Sequence, residues 1–159
     1  MQERGFSLIE LLIVVAIILI ISAIAVPSFM HGKIAANEAS AVYSIRTINT
    51  AQVTYATNYP TVGYADTLNK LAAPAGGGPT SSSNAGVLDW VLGCNTAVCP
   101  KSGYNFQITN PAGIPVSSYN VWGTPSIVGT TGNRGFCSDN MNPVLVDPNG
   151  GSACSLPLQ

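Results

Sequence analysis

The chain has 159 residues, enough for one modest domain beside an anchoring segment and not for two full domains. Only 8% of the residues are charged and the formal net charge is −1. Lys33, Arg46, Lys70, Lys101 and Arg134 are scattered along the chain rather than clustered, which excludes an electrostatic nucleic-acid interface. Sixteen glycines and eleven prolines suggest instead a loop-rich extracellular domain that packs against copies of itself.

Met1-Gln-Glu-Arg-Gly5 is the one segment that reads as a leader, and an apolar run follows it directly, with Leu8 to Val26 as its body. As a helix that body is about 29 Å long, roughly one bilayer core. An ordinary secretory signal loses its apolar stretch on cleavage; here the stretch would stay on the mature chain. The only charge inside it is Glu10. A carboxylate in that setting costs about 2.5–3.5 kcal/mol even on the gentler insertion scales, so Glu10 is a functional-site candidate by default.

One long helix is predicted from Phe6 to Tyr59, with Pro27 and Gly32 as the interruptions in its pattern. Past Pro27 the residues turn amphipathic. Ile34, Ala41, Ile45, Ile48, Tyr55 and Tyr59 recur at three- and four-residue steps on one face, while Lys33, Asn37, Ser44, Arg46, Thr47 and Thr54 line others. Such a helix would be about 80 Å long, and Tyr59-Pro60 ends it.

Residues 61–103 read as a connecting region. It holds a short helical turn at Asp66–Leu71, an exposed loop over Ala73–Asn84, and a short strand or helical turn at Val87–Leu92 with Trp90 as a core plug. Beyond Lys101 the signals become β. Tyr104–Ile108 and Ser118–Trp122 alternate at period two, and Ile127-Val128 and Pro143–Val146 are further short runs. A meander of three or four antiparallel strands is expected, one face laid on the amphipathic half of the helix, an α+β fold. A sheet of that size needs the helix and cross-links to complete it.

All four cysteines, Cys94, Cys99, Cys137 and Cys154, lie beyond the apolar run, and an even count in a translocated domain favours disulfides. Of three connectivities, Cys94–Cys99 with Cys137–Cys154 closes two short local loops and is the one expected. Zinc is the competing reading. It is disfavoured because the spacing is not paired C-x-x-C and the single histidine, His31, is far along the chain.

Gly129-x-x-Gly132-x-x-Gly135 lacks the Gly-Lys-Ser/Thr ending of a phosphate loop and reads as turn punctuation. No serine–histidine–aspartate set or close acidic pair suggests catalysis, so no enzyme is expected. Asp139, Asn140, Asn142, Asp147 and Asn149 are the only candidate metal site, with Asp139 and Asp147 as calcium ligands. The same residue types are ordinary in tight turns, and that reading stands beside it.

Gly5-Phe6-Ser7-Leu8-Ile9-Glu10 followed by an otherwise uncharged apolar run closely resembles the N-terminus of type IV prepilins and type II secretion pseudopilins. The order Trp122–Pro125, then Gly129–Asp139, resembles more loosely the closing hairpins of the same proteins. The resemblance implies that Gly5 precedes the prepilin peptidase cut, Phe6 is the N-methylated first residue, Glu10 acts in assembly, and Pro27 is where the helix bends or unwinds. Domains would be a leader (1–5), a helix (6–59, its apolar part to 27 and its amphipathic part from 28) and a head (60–159). The implied precursor sits in the inner membrane among lipid and meets the peptidase and an assembly platform. It then becomes an extracellular homo-oligomeric helical filament. Some pseudopilins hold calcium in a late loop, which keeps that ion in view; otherwise no cofactor is expected. A major pilin is the first reading, a pseudopilin or minor pilin of a secretion or DNA-uptake system the second, and a membrane-tethered enzyme or binding module the third. Aromatic content of 8%, mostly at core-like positions, gives a conducting filament no support.

Overall fold

The computed structural model describes residues 6–141 and 143–158, and these divide between two compact units, Met1–Lys33 and Ile34–Gln159. Helix α1 (Leu8–Asn58) contributes to both. In the first unit, every residue from Leu11 to Val26 but Ser22 is apolar, on all sides of the helix. In the second, the head, the buried α1 positions include Ile34, Glu38, Ala41, Ile45, Ile48, Gln52 and Tyr55. The steps of four and three between them make one stripe facing the core. Ser44, expected on a polar face, is also fully buried, its hydroxyl without a partner; with Asn49 and Ala51 buried too, the covered face is wider than the apolar pattern implies.

Among the described residues six strands follow: β1 (Cys99–Lys101), β2 (Tyr104–Ala112), β3 (Ser118–Pro125), β4 (Gly135–Asp139), β5 (Leu145–Asp147) and β6 (Leu156–Pro157). They form one antiparallel meander in sequence order. Tyr104 and Phe106 of β2, Tyr119 and Val121 of β3, and Phe136 of β4 join Ala41, Ile45, Ile48, Ala51 and Tyr55 of α1 in a single apolar core. The alternation of β2 and β3 is a half-buried pattern, inward residues against α1 and outward ones partly exposed. The fold is thus α+β, a long helix backed by an antiparallel sheet.

Two expectations about the sheet are corrected. Ile127-Val128 is no strand: both side chains are largely exposed, and the Ile127 carbonyl accepts the Thr130 and Thr131 N–H groups in a tight turn. Gly129, at φ 82°, closes that turn by donating to the Gly132 carbonyl. The described sheet has six strands rather than three or four: β1, β4 and β6 lie outside the expected runs, and β4 begins at Gly135, one of the three glycines that read as turn punctuation. Four of its five residues are buried because both faces are covered. Phe136 meets the core, and the chain at Gly151 lies against Gly135 on the other side. With no exposed face there is no alternation to read.

Trp90 is likewise not a core plug; it is 47% exposed. The Asp89 carboxylate accepts the Val91 and Leu92 N–H groups, both at 2.9 Å, and Gly93 N–H reaches the Asp89 carbonyl at 2.7 Å. That turn sends Leu92 into the core and leaves Trp90 and Val91 outside. A single-turn helix α2 (Leu68–Leu71) buries both of its leucines. The Ala73–Asn84 loop is exposed over most of its length and pinned at its far end, where Tyr55 Oη donates to the Ser82 carbonyl at 2.6 Å.

Disulfides join Cys94 to Cys99 and Cys137 to Cys154. The second ties the C-terminal segment across the outer face of β4. Their sequence separations are 5 and 17, for which chain entropy gives about 2 and about 3 kcal/mol. Cys137→Ser should therefore lower the urea midpoint of the oxidised protein more than Cys94→Ser. Equal midpoints would show that the larger loop restrains nothing in the unfolded chain.

Candidate functional site

In the first unit, α1 starts where the Ser7 carbonyl accepts the N–H groups of Glu10 and Leu11, at 3.1 and 3.3 Å. From Leu8 through Val26 the large apolar side chains are exposed, and an 18-residue window of the helix has mean hydropathy 3.1 with none of it buried. Each Leu, Ile or Val left in water forgoes about 1.5–3 kcal/mol of transfer free energy. A surface of this kind is satisfied only by lipid or by other apolar protein.

Glu10 is exposed in the first turn of α1. There the unpaired N–H groups of the helix end carry partial positive charge, which favours a carboxylate. Among the described residues it forms no ion pair. Phe6, just before the helix, is exposed. Gly5, the expected cleavage position, lies outside the described residues, as does Asn142. Pro27 sits inside α1, which is helical through it. Having no N–H, it leaves the Ala23 carbonyl without its intrahelical donor.

The suggested calcium residues are not brought together. In the β4–β5 register Asp147 faces Gly135, four residues from Asp139 along the strand, a spacing of about 13 Å. Each serves its own turn. Asp139 accepts the Met141 N–H at 2.8 Å, and Asp147 accepts those of Asn149 and Ala153 at 2.9 and 3.1 Å.

Three buried polar side chains of α1 fix the head, and none drew notice in the sequence. Gln52 makes a two-point bond with one residue, its amide donating to the Ala65 carbonyl and accepting the Ala65 N–H, both at 2.8 Å. Asn49 donates to Ser138 Oγ at 2.7 Å and accepts from Tyr119 Oη at 3.2 Å. Burial pushes the Tyr119 hydroxyl well above its usual range, with Tyr64 and Asp139 adding to the rise. Glu38 accepts the N–H groups of Asn133 and Arg134 at 2.9 and 3.2 Å and pairs with the Arg134 guanidinium at 2.7 and 2.9 Å. A signal was present: Glu38 and Gln52 occupy the gaps in the apolar stripe, four residues after Ile34 and Ile48.

Burial alone would raise the Glu38 carboxyl, but the Asn133 N–H and the Arg134 guanidinium and N–H outweigh it and hold the group below its ordinary value. A carboxyl depressed in the folded state contributes stability above its unfolded pKa, and that contribution is lost as pH falls through the folded pKa. Acid should therefore loosen the junction of α1 with the turn before β4. Glu38→Gln should cost about 2 kcal/mol at pH 7 and flatten the urea midpoint below pH 5. An unchanged acid limb in the Gln variant would remove Glu38 from the acid response.

The prokaryotic N-terminal methylation motif matches residues 1–26. The chain is also similar to the type IV major pilin protein PilA of Myxococcus xanthus, 43% identical over 54 residues. The match covers 34% of this chain and spans 24% of that relative's length. No solved structure matches the chain.

Proposed function

We propose, from an N-terminal segment that carries the prokaryotic N-terminal methylation motif and is similar to that of a type IV major pilin, that this protein is the major structural subunit of an extracellular filament. The carrying observation is the uncovered apolar stretch of α1 with one carboxylate in its first turn. In the precursor, lipid satisfies that stretch. In a filament, the same stretch of other copies satisfies it, so assembly exchanges one apolar surrounding for another at little net cost. A prepilin peptidase would cut after Gly5 and methylate Phe6, and an inner-membrane platform would extract the mature chain.

Two short disulfide loops in the head and a chain with only 8% charged residues suit an oxidising exterior and repeated contacts between identical domains. The test is electron microscopy of filaments sheared from cells, with quantification of their subunits. This chain should be the dominant component. Filaments built mainly of another subunit, with this one at trace level, would overturn the major-subunit reading in favour of a minor pilin or pseudopilin.

A further inference from the structure

On the head, the side of α1 turned away from the sheet reads as polar in sequence, yet its hydroxyls are turned to the helix's own backbone. Thr47, Thr50, Thr54 and Thr57 each donate their hydroxyl to the carbonyl four residues earlier, at 2.9–3.0 Å. The hydroxyls are thereby satisfied within the helix and the methyl groups are left to the surface. Tyr43, 69% exposed, and Val53 add apolar area to the same face. Its one charge is Arg46, and tyrosine and arginine are residues on which protein interfaces concentrate binding energy.

Charge pairing within the head narrows the choice of occupant. Arg134 pairs with Glu38, Lys70 with Asp66 and Lys101 with Asp89. Asp147 is buried, with both oxygens on backbone N–H groups. Among the described residues of the head, this leaves Arg46 as the one cation without an opposite charge, and Asp139 as the one such anion that is not buried. Asp139 ends β4, half-buried, beside Met141, which is 80% exposed.

We propose that the threonine face of α1 docks on a second copy of this chain, with Arg46 meeting Asp139 and Met141 of that copy. The contact joins two different surfaces, so each copy keeps one of each free and the chain of contacts does not close. An in-register pairing of two threonine faces is disfavoured, because it sets Arg46 against Arg46. The proposal rests on the filament reading and specifies a contact between heads within it.

The test uses two full-length chains, one carrying Arg46→Cys and the other Asp139→Cys, assembled together and oxidised. A covalent dimer should form in the mixture and not in filaments of either variant alone. Because the two new thiols are on different chains, a bond within one head cannot produce it. Arg46→Glu should lower filament yield about tenfold through the new like-charge contact, and adding Asp139→Arg should restore it. Filaments that assemble normally without the mixed dimer, or that ignore Arg46→Glu, would overturn the contact. A mixed dimer formed in the membrane with no filaments on any cell would keep the contact and overturn the filament-subunit reading.

Discussion

Cells carrying Glu10→Ala should export and cleave the subunit normally yet carry few or no filaments. A cut after Gly5 would create a positive amine on Phe6, four residues before Glu10, which would be about one helical turn, or 6 Å, if the helix ran back to that amine. A pairing within one chain across that gap is weak. A stronger pairing would bring the amine of an incoming subunit to Glu10 of one already assembled. At 4 Å and an effective dielectric near 20 that attraction is about 4 kcal/mol before desolvation. Apolar packing along Leu8–Val26 is non-directional and sets no axial register; a single buried ion pair does. The exposure of Glu10 in the first turn of α1 leaves it free for such a partner. Immunoblotting for the cleaved subunit beside counts of surface filaments checks this. Normal filament numbers would remove Glu10 from assembly, and loss of cleavage would move its role to the peptidase.

Gly123→Val should lower the thermal midpoint of the head by roughly 10 °C, about 3 kcal/mol. Gly123 lies mid-strand in β3, directly beneath α1. A methyl group added there would sit 2.8 Å from Phe106 Cε1 and 3.3 Å from Ile45 Cδ1, and both of those side chains are fully buried. Strand propensity acts the other way, favouring valine over glycine by up to about 1 kcal/mol. The sign of the change therefore reports which term governs the site. Overpacking against two rigidly held side chains is the larger, because α1 cannot move outward without opening the core along Ile45, Ile48 and Tyr55. Trimming Ile45 to alanine in the Val variant should recover part of the loss although that change alone destabilises. A Val variant as stable as the parent would show that α1 is not held against β3 at this point.

Where each element's surroundings differ on its two sides, the fold was legible in the residues. Helix α1 announces itself twice, by the unbroken apolar run and then by the stripe through Ile34, Ala41, Ile45 and Ile48. Strands β2 and β3 keep one face on the core and the other partly in water, so they alternate and were found. Strand β4 is covered on both sides and has a glycine, a cysteine and a serine among its five residues, so neither alternation nor β-branched content marks it. Ile127-Val128 and Trp90 misled for the opposite reason. Their apolar side chains sit on tight turns whose geometry is set by Gly129 and Asp89, and large apolar residues on a surface carry no signal of their own. The polar ties at Glu38, Asn49 and Gln52 depend on partners 13 to 96 residues away. Local spacing marks the two gaps in the stripe and cannot say what fills them.

As the proposed filament subunit, this chain would reach the filament processed and with its apolar helix intact. Mass analysis of the N-terminal peptide of the dominant protein in sheared filaments tests it most directly. That peptide should belong to this chain, begin at Phe6 and carry one methyl group on its amine. An assembled subunit that retains Met1–Gly5, or that begins beyond Val26 with the apolar stretch removed, would contradict it.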